Sequence, residues 1–442
     1  MALRGEHSIQ PARRSLTFYK WSAIAFLFFL GVINFADKTI IGFAAVPIMK
    51  DLGLNHEQFG LVGSAFFWFF SISGLVVGRL SDRFRTKTLL AGMASVWAAT
   101  QFVTVFIASL PQLVATRVVL GAAEGPSYNL SIHAVAKWLP QSQRGLGFSL
   151  VTIGGALGPA LAAPVLIYFI YHFGWRSAFI FLGIIGTVWV LAWTALSKES
   201  PASLGLPSPE GTPEQRPTQS IAWRHLMPAI FSRDFILIAL AGFASYWGLA
   251  LMIVWVPPYL EEVRHLTHAQ AQTYEALPWL AGALASLLFC YLADVLFRKT
   301  QSSRKSRVYM MGLLGLCSAT CWYLFVSVPG TGLAVVFLVI ASALGSPGYP
   351  LGNAIVSDMI LPEHRGTMLG VLLAVATSAG LIAPAVSGSL IQAGAGQSGY
   401  AHAFMLMAAL NVVASIAFLI GVRPPKPGTL PEYARRMAGH DG

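Results

Sequence analysis

The chain is 442 residues, 55% hydrophobic and only 11% charged, with a mean hydropathy of +0.65. A soluble chain of this length carries roughly a quarter charged residues, so lipid has to be its solvent; soluble enzymes, secreted disulfide scaffolds and nucleic-acid-binding domains are excluded. The net charge of +11 takes its meaning from where the cations sit.

Apolar runs recur near 18–36, 59–80, 88–110, 113–136, 146–171, 176–197, 234–256, 274–296, 308–328, 332–356, 367–391 and 400–422. Each is about 20 residues, the length that crosses a bilayer as a helix. They predict an all-α polytopic membrane protein of about twelve helices in two pseudo-symmetric six-helix bundles, 18–197 and 234–422. The first run lacks a small-residue cleavage site and is followed by Asp37 and Lys38, so it is expected to stay as a membrane helix. Tails at 1–17 and 423–442 flank the bundles. The linker at 198–233, rich in Pro, Ser, Glu and Gln, cannot bury enough apolar area to order itself.

With the N-terminus inside, 24 of the 29 Lys and Arg fall on cytoplasmic segments, so both termini are expected in the cytoplasm and the chain in the inner (plasma) membrane. The basic balance then marks topology and contact with anionic lipid heads, not a nucleic-acid partner. A monomer in the bilayer is expected.

The halves repeat. LSDRFRTK (80–87) is echoed by LADVLFRK (292–299), LPQSQRG (139–145) by LPEHRG (361–366), and GAAEGPSY (121–128) by SALGSPGY (342–349). Duplication of this kind marks transporters, which hold substrate near the membrane midplane. Phosphate-binding loops are absent, so ATP is not the expected energy source. Cys290, Cys317 and Cys321 have no metal or disulfide spacing and read as packing residues.

Gly78-Arg79-Leu80-Ser81-Asp82-Arg83 followed by Lys87 resembles the signature of the major facilitator superfamily, although Arg85 stands where that pattern usually has Gly. Within that superfamily, NFADK (34–38), RVVLGAAEGPSYN (117–129) and WVPPYL (255–260) resemble the anion:cation symporter family, which includes bacterial sugar-acid permeases and animal organic-anion carriers. The resemblance implies proton coupling by Asp37 and Glu124, with Lys38 and Arg117 holding the carboxylate of a small organic anion. Protons are then the coupling ion, with no other cofactor and no metal. Three departures stand out: Lys38 replaces the usual Arg, Phe35 and Phe70 replace Tyr, and Gly155 takes a position where some members have Gln. Losing two phenols and an amide disfavours a polyhydroxylated substrate and favours an aromatic or weakly hydroxylated acid.

Physical chemistry points the same way. Arg117 and Glu124 are seven apart, so on a helix they share a face about 10 Å apart. Ionisable residues inside a span are costly enough to be read as functional by default. Burial disfavours the charged form of an acid and a nearby cation favours it, so binding an anion to the cation promotes proton uptake. The blander alternatives are an internal salt bridge for Arg117 and Glu124, and a solvated helix end for Asp37 with Lys38 snorkelling beside it. The second half carries Phe337 and Leu344 at the positions taken to match Arg117 and Glu124, so the fold itself does not require the pair.

Gly78, Asp82, Arg83 and Lys87, with Asp294 as second-half counterpart, are expected to form a cytoplasmic gate. Phe35, Phe70, Tyr246 and Trp255 are candidate cavity aromatics, and Asn353, Ser357, Thr377 and Ser378 candidate polar contacts, although span hydroxyls often bond back to their own helix. Two competing functions are a sugar-acid (galactonate or hexuronate-like) permease and a proton-coupled drug or metabolite exporter. Gly145, Gly154, Gly158 and Pro159 fit the exporters' fifth-helix glycine spacing, but Lys38 beside the acid ill suits a cationic cargo. No nucleophile elbow, His/Asp pair or metal motif stands at a span end, so an enzyme is not expected.

Overall fold

The computed structural model describes residues 6–80, 84–140, 143–205, 223–361, 364–394, 396–425 and 429; within them the regular structure is helical, with no strand. In chain order the helices are α1 (Glu6–Phe43), α2 (Ala45–Leu52), α3 (His56–Ala65), α4 (Phe70–Leu80), α5 (Thr86–Thr104), α6 (Leu110–Glu124), α7 (Ser127–Trp138), α8 (Arg144–Phe173) and α9 (Trp175–Leu196). They continue as α10 (Trp223–Ile230), α11 (Arg233–Val254), α12 (Val256–Glu262), α13 (His268–Thr300), α14 (Tyr309–Ser327), α15 (Thr331–Gly345), α16 (Gly348–Met359), α17 (Arg365–Gly394) and α18 (Gln397–Gly421). Among the described residues, nine helical segments are long and apolar enough to cross a membrane. The second, third and fourth predicted spans correspond to α3 with α4, to α5, and to α6 with α7.

Two boundaries differ from expectation. Helix α1 starts at Glu6, well before the apolar run at 18, and α10 forms inside the stretch expected to be a linker without order of its own. The sequence of α10, WRHLMPAI, explains the second difference: Leu226 and Ala229 are buried in an apolar cluster with Phe235, Ile238 and Met311. Residues 206–222, the polar heart of that linker, lie outside the described residues.

The fourth predicted span is not one helix. Helix α6 ends at Glu124, and α7 begins after Gly125 and Pro126. Proline cannot donate a helix hydrogen bond and crowds the preceding residue, so the break is local chemistry. Gly125 is also required by packing, because a Cβ there would stand 2.0 Å from the Phe70 carbonyl oxygen and 2.5 Å from Ser73 Oγ. The tenth span repeats the device: α15 ends at Gly345 and α16 starts after Pro347. Aligning these ends sets Gly345 against Glu124 and Leu338 against Arg117, one residue on from Phe337 and Leu344. The second half is still uncharged there, and Leu338 is fully buried.

A second repeat is equally physical. Arg144 donates from Nε to Leu139 O at 3.1 Å and from Nη2 to Ala136 O at 3.2 Å, satisfying carbonyls that α7 leaves open. Arg365 donates to Ser357 O at 3.0 Å, near the end of α16. The duplicated Arg-Gly after each Leu-Pro is therefore a helix cap supplied from the next helix.

The chain forms two compact units: 1–40 with 68–162 and 169–217, and 41–67 with 163–168 and 218–442. The division is not the simple split at the linker. In the second unit α3 is drawn onto α17 by missing side chains: a Cβ on Gly60 would meet Pro384 O at 2.5 Å, and one on Gly388 would meet Gly60 Cα at 3.1 Å. Ser64 Oγ accepts from the Ala385 amide at 3.1 Å, one residue past Pro384, which interrupts the ladder of α17.

Candidate functional site

The first unit holds the four ionisable residues singled out in the sequence. Asp37 and Lys38 project from α1, Arg117 and Glu124 from α6, and all four are buried, Glu124 at 0% exposure and Asp37 at 1%. Asp37 is thus not a solvated helix end. Arg117 and Glu124 share one face of α6, as their spacing requires.

Lys38 is the centre of the arrangement. Its Nζ donates to Asn34 Oδ1 at 2.6 Å, one helical turn back, and pairs with Glu124 Oε2 at 3.7 Å. The rings of Phe35 and Phe70 lie 4.5 and 5.0 Å from the ammonium, so aromatic faces shield it while Glu124 balances its charge. Sequence reasoning grouped Lys38 with the substrate carboxylate; the geometry also makes it the partner of the helix-six acid.

Phe35 explains another departure. A Cβ built on Gly155 of α8 would stand 3.0 Å from Cδ2 and Cε2 of the Phe35 ring. The ring occupies the space a glutamine at 155 would need, so Phe35 and Gly155 are one packing solution. Glycines 154 and 158 likewise admit α1: added Cβ atoms would meet Phe28 O at 2.3 Å and Val32 O at 2.6 Å. Gly154 and Gly158 of the fifth-helix glycine spacing are therefore accounted for by close packing against α1, whereas a Cβ on Gly145 would meet nothing within 4 Å.

Two polar residues at this site escaped the sequence reading. Asn34 holds Lys38, and Gln101 of α5 is 1% exposed and faces Asp37. A polar residue in an apolar helix was the available signal, but Gln101 lies in a span with several Thr and was not separable from them.

In the second unit, Ser357, Thr377 and Ser378 bond back to the carbonyls of Asn353, Leu373 and Val375 on their own helices, at 2.7, 2.9 and 2.7 Å. Asn353 differs: its Oδ1 is buried with no hydrogen bond. Tyr246 sits edge-on to Phe67 at 5.8 Å. Trp255 is fully buried and donates from its indole to Pro384 O at 3.0 Å, which makes it a brace for the α17 kink.

Of the expected cytoplasmic gate, Asp82 and Arg83 lie outside the described residues, and Gly78 falls within α4. Lys87 donates to the carbonyls of Thr194 and Ser197, both at 2.8 Å, at the end of α9. The residue that completes this corner is Glu199, which accepts the amides of Thr86 and Lys87 at 3.0 and 2.8 Å and pairs with Lys137. In the second half Asp294 accepts from Arg307 at 3.2 Å, and Arg307 also pairs with Asp358.

A further cluster in the second unit was not anticipated. His56 Nε2 lies 3.0 Å from Glu262 Oε2, Tyr400 donates its hydroxyl to the same oxygen at 2.8 Å, and the His56 amide donates to Gln392 at 3.2 Å. The ring stacks on Trp255. The hydrogen bond to Glu262 raises the His56 pKa above its ordinary 6.5, against a smaller opposing effect of burial.

The family model of the Major Facilitator Superfamily matches residues 27–301 and 238–438. The chain is 28% identical over 419 residues to the hexuronate transporter of Bacillus subtilis (strain 168), covering 92% of this chain and 95% of that protein. It is 28% identical over 401 residues to the probable sulfoacetate transporter SauU of Cupriavidus necator, covering 88% and 90%. It is 27% identical to the probable galactarate/D-glucarate transporter GudP of Bacillus subtilis (strain 168), covering 95% of each. Among solved structures, an inward-facing, unoccupied bacterial homologue of the human lysosomal transporter Spinster matches with a TM-score of 0.75 at 16% identity over 91% of this chain and 96% of its own. A D-xylose-proton symporter matches at 0.73 and 15% identity, over 93% of this chain and 100% of its own. These structural likenesses show the fold. Curated relatives across nearly the full length are carriers and not enzymes, and the chain is a multi-pass membrane transporter that belongs to the Major Facilitator Superfamily.

Proposed function

We propose that this transporter takes up a small organic carboxylate together with protons by alternating access in the inner membrane. The carrying observation is the buried cluster of the first unit: two acids and two cations share one buried site, with Lys38 and Glu124 paired at 3.7 Å and Lys38 shielded by rings. Buried charges of this kind persist only when mutually compensated. An incoming carboxylate competes with Glu124 for Lys38, and a proton on Glu124 or Asp37 restores neutrality; that exchange couples the two movements. The relatives, named as transporters of hexuronate, sulfoacetate and galactarate or D-glucarate, support an organic acid as the substrate class. Phe35 filling the space beside Gly155 favours an acid with few hydroxyls over a sugar acid.

The test uses purified protein in liposomes. A panel of glucuronate, galactarate, sulfoacetate and benzoate is first screened for thermal stabilisation, and the stabilising acid is then used for uptake. An inward proton gradient should drive accumulation in the wild type. Glu124→Gln and Asp37→Asn should abolish it, with counterflow exchange retained in at least one. Normal accumulation in both variants would remove the coupling assignment, and efflux driven by an inward gradient would convert the reading to export.

A further inference from the structure

The cluster contains one side chain that neither charge logic nor the motifs account for. Gln101 lies on α5, a third helix beside the two that carry the ionisable residues, and is 1% exposed. Among the described residues, neither its Nε2 nor its Oε1 has a hydrogen bond of good geometry, and neither do Asp37 Oδ1 and Oδ2. Leaving a buried amide unsatisfied is unfavourable, and apolar side chains of similar volume would fill the same space without that loss. Gln101 faces the Asp37 carboxylate, whose charged neighbours are Lys38 on its own helix and Arg117 and Glu124 on α6.

We propose that Gln101 is the positioning residue for the Asp37 proton, serving both protonation states of that acid with the two ends of one amide. When Asp37 is ionised, Gln101 Nε2 donates to a carboxylate oxygen. When Asp37 is protonated, its O–H donates to Gln101 Oε1, so a rotation of the amide follows the proton. No proton leaves Gln101 in either state. A cation in its place would fix Asp37 in the charged form, and a second acid would share the proton; an amide does neither. The slack geometry around Asp37 fits a partner that must exchange donor for acceptor in each cycle.

The inference rests on Asp37 being a coupling acid, and the test separates the two. Infrared difference titration of the purified wild type, with no substrate and no gradient, reads the carboxylic C=O band of Asp37, assigned by its loss in Asp37→Asn. The charge-assisted bond to the ionised form is the stronger of the two, so Gln101→Met, which keeps the volume and removes the amide, should move the midpoint by about one pH unit toward higher pH, roughly tenfold in the proton equilibrium. Gln101→Asn, which draws the amide back by one methylene, should move it less in the same direction and serves as the reading should the Met variant not fold. An unchanged midpoint in whichever variant folds, or no titrating Asp37 band in the wild type, overturns the proposal. Accumulation retained by Asp37→Asn in the transport assay would remove Asp37 from coupling while leaving a shifted midpoint as proof of the Gln101 contact.

Discussion

Lys38 shows how one substitution reorganises a site. With arginine, a planar fork could engage two acceptors at once; the lysine is a point charge that must be shared. Here Asn34 takes one donor at 2.6 Å, Glu124 takes the charge at 3.7 Å, and Phe35 and Phe70 cover the faces. Lys38→Met removes that charge and leaves Glu124, at 0% exposure, without its ion-pair partner. Breaking one side of a buried pair costs about 3 kcal/mol, so the variant should melt well below the wild type in detergent. Adding Glu124→Gln should recover most of the loss, because two neutral side chains then face each other. A double variant as unstable as the single would show that Lys38 acts through packing alone. At this scale the sequence made the four charged residues legible, since an ionisable group in an apolar run has no bland surface to occupy. Asn34 and Gln101 were not legible, because an uncharged polar residue costs less in a span and carries no such signal.

Helices in this chain are stopped and joined by local chemistry that is visible in the sequence as repeats. Gly125-Pro126 and Ser346-Pro347 break the fourth and tenth spans, and Arg144 and Arg365 cap the pieces that follow. What the sequence did not reveal is the joint at the start of α3, where His56, Glu262 and the neighbouring pair Gln392 and Tyr400 come from three stretches far apart in the chain. No spacing rule connects residues 56, 262 and 400; only tertiary packing does. The joint carries a pH dependence. Bonding to Glu262 raises the folded pKa of His56 above the ordinary 6.5. Its stabilising contribution is therefore fully present below about pH 6.5 and is lost as pH rises through the folded value. His56→Gln, which cannot charge, should lower the melting temperature relative to wild type in mildly acidic buffer. The difference should shrink as the pH is raised through neutrality. A gap that is constant with pH would mean that the ring serves only to stack on Trp255.

Over the whole molecule, composition reports the solvent, and the distribution of charge reports orientation. An 11% charged fraction leaves few cations, and 24 of the 29 Lys and Arg lie in segments that one orientation places together. The first half concentrates its buried ionisable machinery in one unit, whereas matching positions in the second half are Leu338 and Gly345. The duplication thus supplies a common scaffold that does not require charge at these two positions. Division into two units was not fully readable, because Ile41–Phe67 joins the second through glycine contacts between α3 and α17 that depend on three dimensions. The topology expected from charge does not depend on that packing, since moving Lys and Arg across the membrane is disfavoured. A fluorescent protein fused after Gly442 should therefore fold and fluoresce in intact bacteria, while alkaline phosphatase fused at the same point should stay inactive. The same pair placed in the loop after Leu52, on the opposite side of the first span, should report the reverse. Fluorescence from the loop fusion, or phosphatase activity from the C-terminal one, would invert the orientation and with it the direction assigned to proton-driven uptake.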